Sequence, residues 1–171
     1  PAGIKARAHK GIEWFVAHGV TKIRTHVNVG YESLAGIRAL TELRDEVSDL
    51  VDLQLVAFPA DGLYTEDEAN ADRLREAIEH GADLVGGIPH IEYTDEDGVA
   101  HVQHVVDLAE RHGLPLDLHI DETDDPQSRF TETLASEVLK RGIGDRATAS
   151  HATAMHSYSN AYADKLIGVI A

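Results

Sequence analysis

The feature that most constrains the fold of this chain is a regular alternation of short apolar segments with longer segments of helical periodicity. The apolar segments are rich in β-branched residues and lie at 22–29, 51–58, 83–88, 114–120, 147–151 and 166–170. They are hydrophobic on both faces, as strands buried in a parallel sheet are. Helical periodicity occupies the intervals, at about 4–18, 32–48, 65–80, 99–112, 127–141 and 154–165. The chain therefore predicts a leading helix, five β/α units and the start of a sixth strand.

Turn and capping residues mark several ends of the predicted helices. Four glycines fall where helices are expected to stop, namely Gly19, Gly81, Gly113 and Gly142. Thr65, followed by Glu68 three residues later, predicts a capping box. Asp125 followed by Pro126 predicts an N-cap with proline at the first helical position. These residues support the helix boundaries drawn from periodicity.

The strand–helix repeat is compatible with two architectures, a doubly wound open sheet and a (β/α)8 barrel. The sequence has neither the glycine-rich fingerprint of a dinucleotide site nor a Gly-Lys-Ser/Thr phosphate loop. Polar residues instead follow several different strands, at His26, Asn28, Asp61, His90, His119, Glu122 and His151. Because a barrel assembles its site from many strand ends, this distribution favours an α/β fold of the (β/α)8 TIM-type barrel class. Arg24 is expected inside or at the base of this barrel, with a carboxylate partner.

Composition excludes several functional classes. With 30 acidic residues against 15 basic ones, the net charge is −15, which opposes binding to nucleic acid and to anionic lipid. The sequence has no cysteine and no apolar run long enough for a membrane span, so disulfides, thiolate metal sites and membrane insertion are not expected. We expect a cytoplasmic protein, because no signal peptide is recognisable. The acidic, lysine-poor surface is typical of halophilic proteins, which work in high salt.

The densest cluster of polar residues lies between Asp117 and Asp125. His119 ends a predicted strand, where a neutral imidazole can bind a divalent metal, and Glu122 could reach over the same site as a proton carrier. His151 lies among small residues at the next strand end, where it could bind the metal or orient the water that the metal activates. The residues alone leave open a simpler alternative, a strand-end histidine packed beneath an acidic, solvated loop.

Other candidate residues are expected to be structural. Singly, His26 and His90 are more typical of hydrogen-bonded residues at the rim of a fold than of metal ligands. Six histidines on predicted helices are expected at the surface: His9, His18, His80, His101, His104 and His112. Trp14 and Phe15 are expected to belong to the core, on the apolar face of the first helix.

Six stretches, in this order, resemble the cytosine deaminase family of the amidohydrolase superfamily. They are 23–27, 52–59, 86–90, 117–122, 127–130 and 148–158. The resemblance covers essentially the whole chain, and the last three stretches together are specific. It implies a (β/α)8 barrel that binds one divalent metal ion, iron or zinc, at the top of the barrel. It also implies a small nucleobase as substrate and hydrolytic deamination as the reaction, converting cytosine to uracil and ammonia, or acting on a related amino-substituted pyrimidine or triazine.

The resemblance assigns roles to individual residues. His119 matches a metal-ligand histidine, and Glu122 matches the glutamate that moves a proton from the attacking water to the pyrimidine ring nitrogen. His151 matches the histidine that holds this water in place. Ala60 stands where the family has a glutamine that hydrogen-bonds the pyrimidine, so Asp61 is expected to replace part of that contact. His90 is expected on the same substrate-binding side.

The resemblance also implies that parts of the family pattern lie outside this chain. The family's His-x-His pair on the first strand and its aspartate ligand on the eighth strand have no counterpart here. We therefore expect residues 1–171 to form a single partial barrel domain, about strands 2 to 7, within a longer protein that forms a homo-oligomer. The alternative is a catalytically inactive fragment or degenerate homologue that serves as a binding or assembly module. An unrelated aldolase or isomerase barrel is disfavoured, because no lysine lies at the carboxyl end of a predicted strand.

Overall fold

A computed structural model describes residues 2–30, 33–65 and 69–171. Within these ranges the strands are β1 (Lys22–Asn28), β2 (Asp52–Phe58), β3 (Leu84–Gly87), β4 (Leu116–Ile120) and β5 (Ala147–His151). The α-helices are α1 (Ala2–Ala17), α2 (Ala35–Glu46), α3 (Asn70–Glu79), α4 (Asp95–His112), α5 (Phe130–Arg141) and α6 (Asn160–Ile170). Short 3₁₀ helices lie at Pro89–Ile91, Gly144–Arg146 and Thr153–Ser157. The predicted alternation is therefore confirmed through the fifth strand.

The strands form one parallel sheet whose spatial order equals the chain order, β1-β2-β3-β4-β5. Lys22 pairs with Asp52 at one edge of the sheet, and Ile120 pairs with His151 at the other. A doubly wound sheet reverses its strand order at a switch point, whereas a barrel adds each strand beside the previous one. The sheet is a curled half-barrel, so the predicted partial TIM-type barrel is confirmed.

The two faces of the sheet differ in polarity, because side chains alternate between them. The side chains that pack against the helices include Leu53, Leu55, Leu116 and Leu118, none of them more than 4% exposed. On the opposite face, Arg24 donates hydrogen bonds to Gln54 at 3.1 Å and to Asp117 at 2.8 Å. The hydroxyl of Ser150 donates to the other oxygen of Asp117 at 2.7 Å. The carboxylate partner predicted for Arg24 is therefore Asp117, and a polar layer lies beneath the carboxyl ends of the strands.

The helix ends follow the predictions in part. The four glycines predicted to end helices all have positive φ, from 66° to 99°. The prediction of an N-cap at Asp125 is wrong, because its side chain accepts the amide of Gln127 at 2.8 Å within a turn, and α5 begins only at Phe130. The predicted capping box includes Glu68, which lies outside the described residues, while Thr65 donates its hydroxyl to Glu92 at 2.6 Å.

The sixth strand predicted at 166–170 is wrong, because these residues belong to helix α6. Tyr162, Ala163 and Leu166 recur at helical spacing and pack together with Tyr158, and Leu166 is 1% exposed. A short apolar run cannot be assigned to a strand or a buried helix from periodicity alone. The run therefore adds a helix beside α5, and β5 is the last strand among the described residues.

Helix α1 buries a different face from the one predicted. Trp14 is 63% exposed and Phe15 is 54% exposed, so the prediction that they belong to the core is wrong. The buried side of α1 is formed by Ile12, with Ala8 and Val16 one turn away on either side. In the described ranges, every helix falls short of the length and hydrophobicity that a membrane crossing requires.

Candidate active site

Three side chains meet at the carboxyl ends of β4 and β5. His119 is the fourth residue of β4, Glu122 follows this strand, and His151 is the last residue of β5. Each offers one potential ligand atom, and these atoms all lie within 4.8 Å of one another. Nδ1 of His151 lies 3.7 Å from a carboxylate oxygen of Glu122. The structure therefore gathers the three residues to which the sequence assigns chemistry.

The imidazole of His119 contacts three neighbouring rings. Its ring centroid lies 4.3 Å from that of His26, 4.6 Å from that of His151 and 4.6 Å from that of Phe58. Burial, together with the neighbouring rings of His26 and His151, lowers the pKa of His119. The imidazole is therefore neutral at physiological pH, with a nitrogen lone pair available to a ligand.

The backbone turns sharply where these side chains are presented. Asp121, His151 and Ala152 have φ angles of 49°, 72° and 48°, in the left-handed region that residues with a Cβ rarely adopt. Strand alternation would place Ser150 and His151 on opposite faces. The left-handed conformation of His151 ends the alternation, so its ring reaches His119 while Ser150 bonds Asp117. Unfavourable backbone conformations of this kind cluster at functional sites.

Asp121 anchors the turn that carries Glu122. Its fully buried carboxylate accepts the amides of Phe130 and Thr131 at 3.0 and 2.8 Å, which caps the start of α5. It also accepts the hydroxyls of Ser128 and Thr131 at 2.7 and 2.6 Å. The carbonyl of Asp121 accepts the amide of Ala154 at 3.0 Å. One residue therefore connects the loop after β4 to α5 and to the segment after β5.

Asp117 lies in the polar layer, two residues before His119 on β4. Burial alone would raise the pKa of Asp117, but nearby His26 and the hydrogen bonds from Ser150 and Arg24 outweigh it and hold this pKa well below its ordinary value. Nε2 of His26 lies 3.6 Å from Asp117, which is too long for a hydrogen bond, so its effect on the carboxylate is electrostatic. Asp117 is therefore an ionised residue that ties β4 to β1 and β5.

Comparison with known protein families decides the classification. Residues 4–171 match the amidohydrolase family. The chain belongs to this family. Its three gathered side chains thus lie in an amidohydrolase, at the end of the barrel where TIM-barrel enzymes place their active sites.

Several relatives of this amidohydrolase have been characterised or solved. The structure of 5-methylcytosine deaminase from Klebsiella pneumoniae, liganded with 5-fluorocytosine, has a TM-score of 0.95 and 48% identity over 97% of this chain and 40% of that chain. N-isopropylammelide isopropylaminohydrolase from Burkholderia multivorans has a TM-score of 0.81 and 30% identity over 92% of this chain and 40% of that chain. Pterin deaminase from Rhizobium rhizogenes is 27% identical over 99% of this chain and 38% of its own length. The chain thus spans about two fifths of the length of these relatives.

The donor chemistry of this amidohydrolase fits a divalent metal, which proteins of the superfamily typically bind. Imidazole nitrogens and carboxylate oxygens are ligands that suit zinc and iron. His119 and His151 offer the nitrogens and Glu122 offers the oxygen. Of these, His119 is the least exposed and its pKa is lowered, so its neutral imidazole is the best suited to be a metal ligand.

Replacing His119 with alanine is expected to weaken metal binding by about tenfold or more, since an imidazole ligand is lost. Metal content after dialysis, and competition with a chromogenic chelator, measure this loss in the complete gene product. His112→Ala, on the exposed last turn of α4, is the matched control and should retain wild-type metal content. Equal metal content in the two variants would remove His119 from the set of ligands.

The residues predicted to bind substrate lie on the loops after β2 and β3. The amide of Ala60 donates to the carbonyl of Phe58 at 3.0 Å, directly beyond β2. Asp61 accepts a hydrogen bond from the side chain of Asn28 at 3.4 Å, and the backbone of Gly30 approaches so closely that a Cβ there would lie 2.6 Å from Asp61. Nδ1 of His90 is buried without a hydrogen-bond partner among the described residues, and burial lowers the pKa of this ring. Neither Ala60 nor Asp61 is part of the three-residue group.

Two buried polar side chains next to these loops, those of His101 and Glu92, were not predicted from the sequence. His101 was predicted at the surface, but it is 0% exposed and its Nδ1 lies 2.6 Å from Glu92, whose side chain is also 0% exposed. The position of His101 on α4 contained the necessary signal, because it lies between Gly98 and Val105 on the buried stripe of this helix. A histidine in an apolar stripe indicates a buried polar contact.

The buried carboxylate of Glu92 is expected to contribute less to the unfolding free energy in acid. Burial alone would raise its pKa, but hydrogen bonds from His101, Thr65 and Leu63 outweigh burial and lower the pKa from 4.5 to about 2. A carboxylate whose pKa is lower in the folded state stabilises the fold above its unfolded pKa, and this stability is lost as pH falls through the folded pKa. We expect the difference in unfolding free energy between wild type and Glu92→Gln to shrink as pH falls from 4.5 towards about 2.

Urea unfolding at about pH 6 and about pH 3 measures this difference. Glu96→Gln, an exposed position on α4, is the matched control for removal of a carboxylate. A difference between wild type and Glu92→Gln that stays constant with pH would contradict the assignment.

Proposed function

We propose that the protein hydrolyses the exocyclic amino group from an amino-substituted heterocycle, with cytosine or a 5-substituted cytosine as the preferred substrate. The observation that carries this proposal is the meeting of His119, Glu122 and His151 within 4.8 Å at adjacent strand ends of an amidohydrolase. The 48% identity to a 5-methylcytosine deaminase supports the pyrimidine class. Relatives that act on N-isopropylammelide and pterin support an amino-substituted ring more generally.

The reaction requires a water molecule to add to the ring carbon that bears the amino group. The remaining hydroxyl proton then moves to the amino nitrogen, the carbon–nitrogen bond breaks, and ammonia leaves as the ring carbonyl forms. His119 would hold a divalent ion, which as a Lewis acid would lower the pKa of a water molecule towards about 7. Glu122, half-exposed beside this position, accepts the proton of the water and transfers it to the ring nitrogen. His151, 3.7 Å from Glu122, orients the attacking oxygen by hydrogen bonding.

Substrate choice depends on the loop after β2. Ala60 has a small apolar side chain where the resemblance predicts a glutamine, so the site has more room there and lacks the amide that would contact a ring carbonyl. A missing hydrogen-bonding group weakens discrimination between rings by up to about 10⁴-fold. We therefore propose that this site accepts substituted pyrimidines as well as cytosine, with Asp61 and His90 as the polar groups on the substrate side.

Ammonia release by the complete, metal-loaded gene product tests the proposal. The panel consists of cytosine, 5-methylcytosine, 5-fluorocytosine, N-isopropylammelide and pterin, and the pyrimidines are expected to give the highest kcat/KM. Isopropylamine release from N-isopropylammelide is measured separately, because the enzyme named for this compound removes a substituted amine instead of ammonia. If the metal-loaded protein released ammonia from none of these compounds, a catalytically inactive homologue would be favoured instead.

A further inference from the structure

Outside the three-residue group, the buried carboxylate of Glu92 forms an extensively bonded centre next to the proposed substrate side. Its Oε1 accepts the amide of Leu63 at 2.6 Å, and its Oε2 accepts the amide of Tyr64 at 3.2 Å and the hydroxyl of Thr65 at 2.6 Å. The same Oε1 lies 2.6 Å from Nδ1 of His101. Glu92 therefore holds three consecutive residues of the loop after β2 through its carboxylate.

His101 connects this carboxylate to the end of β3. Its Nε2 accepts the backbone amide of Ile88 at 3.2 Å, so this nitrogen carries no proton and Nδ1 is the donor to Glu92. Gly87 makes the close approach possible, since a Cβ at this position would lie 2.9 Å from Nε2 of His101. Burial lowers the pKa of His101, which keeps this neutral tautomer at physiological pH.

The pair therefore joins the two loops that carry the proposed substrate-binding residues. The loop after β2 contains Ala60 and Asp61 and is held at residues 63–65. The loop after β3 contains His90 and is held at Ile88. Both connections run through two side chains that are 0% exposed.

Simple core packing does not explain this arrangement. Burying an ionised carboxylate and an imidazole costs free energy, and apolar side chains of similar volume would fill the space at lower cost. The loop amides of Leu63 and Tyr64 are instead satisfied by a side chain from another segment, which fixes the loop conformation. Networks of this kind rigidify their surroundings when every member is bonded.

We propose that Glu92 and His101 are positioning residues that fix the loops after β2 and β3 and thereby set the affinity of the site for its heterocyclic substrate. The inference rests on the proposed function, because it assigns these loops to substrate binding. The chemical step belongs to a separate group of side chains, so loss of the pair should raise KM much more than it lowers kcat.

Two variants of His101 separate its two hydrogen bonds. His101→Asn places an amide nitrogen near the position of Nδ1 and keeps the bond to Glu92, whereas His101→Gln places an amide oxygen near Nε2 and keeps the bond to Ile88. We expect His101→Gln to raise KM for the best pyrimidine by about tenfold or more, with kcat changed by less than about threefold. His101→Asn, which retains the carboxylate contact, should recover most of the affinity.

Assays run well below the melting temperature of each variant, with metal content measured, remove global unfolding as an explanation. His112→Gln on the same helix is the matched control and should have wild-type KM. If both His101 variants had a lowered melting temperature but an unchanged KM, the inference would be overturned. Glu92 and His101 would then serve the stability of the fold alone.

A second measurement does not depend on catalysis. Hydrogen exchange of the Leu63 and Tyr64 amides should accelerate by about tenfold or more in Glu92→Gln and in His101→Gln, because the loop loses its anchor. Unchanged exchange would overturn the inference even in a protein that deaminates nothing. Faster exchange together with an inactive wild type would instead leave the anchor intact and refute the proposed function.

Discussion

Replacing Glu122 with glutamine is expected to lower kcat by about 10²–10⁴-fold, while the protein keeps its fold and its metal. The glutamine side chain has nearly the same shape but cannot accept the proton of the attacking water or return it to the ring. The carboxylate is exposed and lies 3.7 Å from His151, so its replacement leaves no buried group without a partner. The loss should therefore fall on the chemical step and not on stability.

Steady-state ammonia release, metal analysis and thermal unfolding of the complete gene product measure the three quantities separately. Glu96→Gln is the matched control, since it also removes one exposed carboxylate. Wild-type kcat in Glu122→Gln would show that Glu122 carries no proton, whereas loss of metal would show that it acts chiefly as a ligand.

Replacing Asp121 with alanine is expected to cost about 3–4 kcal/mol of unfolding free energy, the largest stability effect that the site predicts. The carboxylate accepts two amides at the start of α5 and the hydroxyls of Ser128 and Thr131, and alanine leaves all four donors without this partner. The left-handed backbone of Asp121 would lose the contacts that hold it, and Glu122 is the next residue. We therefore expect kcat to fall as well.

Urea unfolding of wild type and Asp121→Ala at neutral pH measures the stability change. Asp124→Ala, three residues away in the same loop and exposed, should change the unfolding free energy by less than about 0.5 kcal/mol. Equal stability of the two variants would mean that the capping bonds of Asp121 contribute nothing net.

Local sequence rules predicted most of the fold because the barrel repeats one unit. Each strand is a short run whose apolar side chains pack against the helices, and glycines such as Gly113 and Gly142 adopt the positive φ expected after a helix. The rule failed at 166–170, where an apolar run of strand length continues the helical spacing set by Tyr162 and Leu166. Periodicity over so few residues does not separate the two structures.

The three residues of the candidate site were predicted from the sequence, but the buried residues that hold the surrounding loops were not. His119, Glu122 and His151 were identified because polar residues at strand ends converge in a barrel. Asp121 was overlooked, because its role depends on a left-handed backbone and on a carboxylate whose partners lie up to ten residues away in the chain. His101 was misplaced because its spacing on the buried stripe between Gly98 and Val105 was not weighed, and because its partner Glu92 lies outside the helix.

The left-handed conformation of His151 sets backbone stability against the role proposed for its ring. A residue with a Cβ costs roughly 1–2 kcal/mol in this region, and glycine adopts it without that penalty. Glycine at position 151 would thus relax the backbone and at the same time delete the ring that faces His119 and Glu122. Selection for thermal stability alone would favour glycine at this position, so we infer that the histidine is kept for the proposed reaction at a cost in backbone conformational energy.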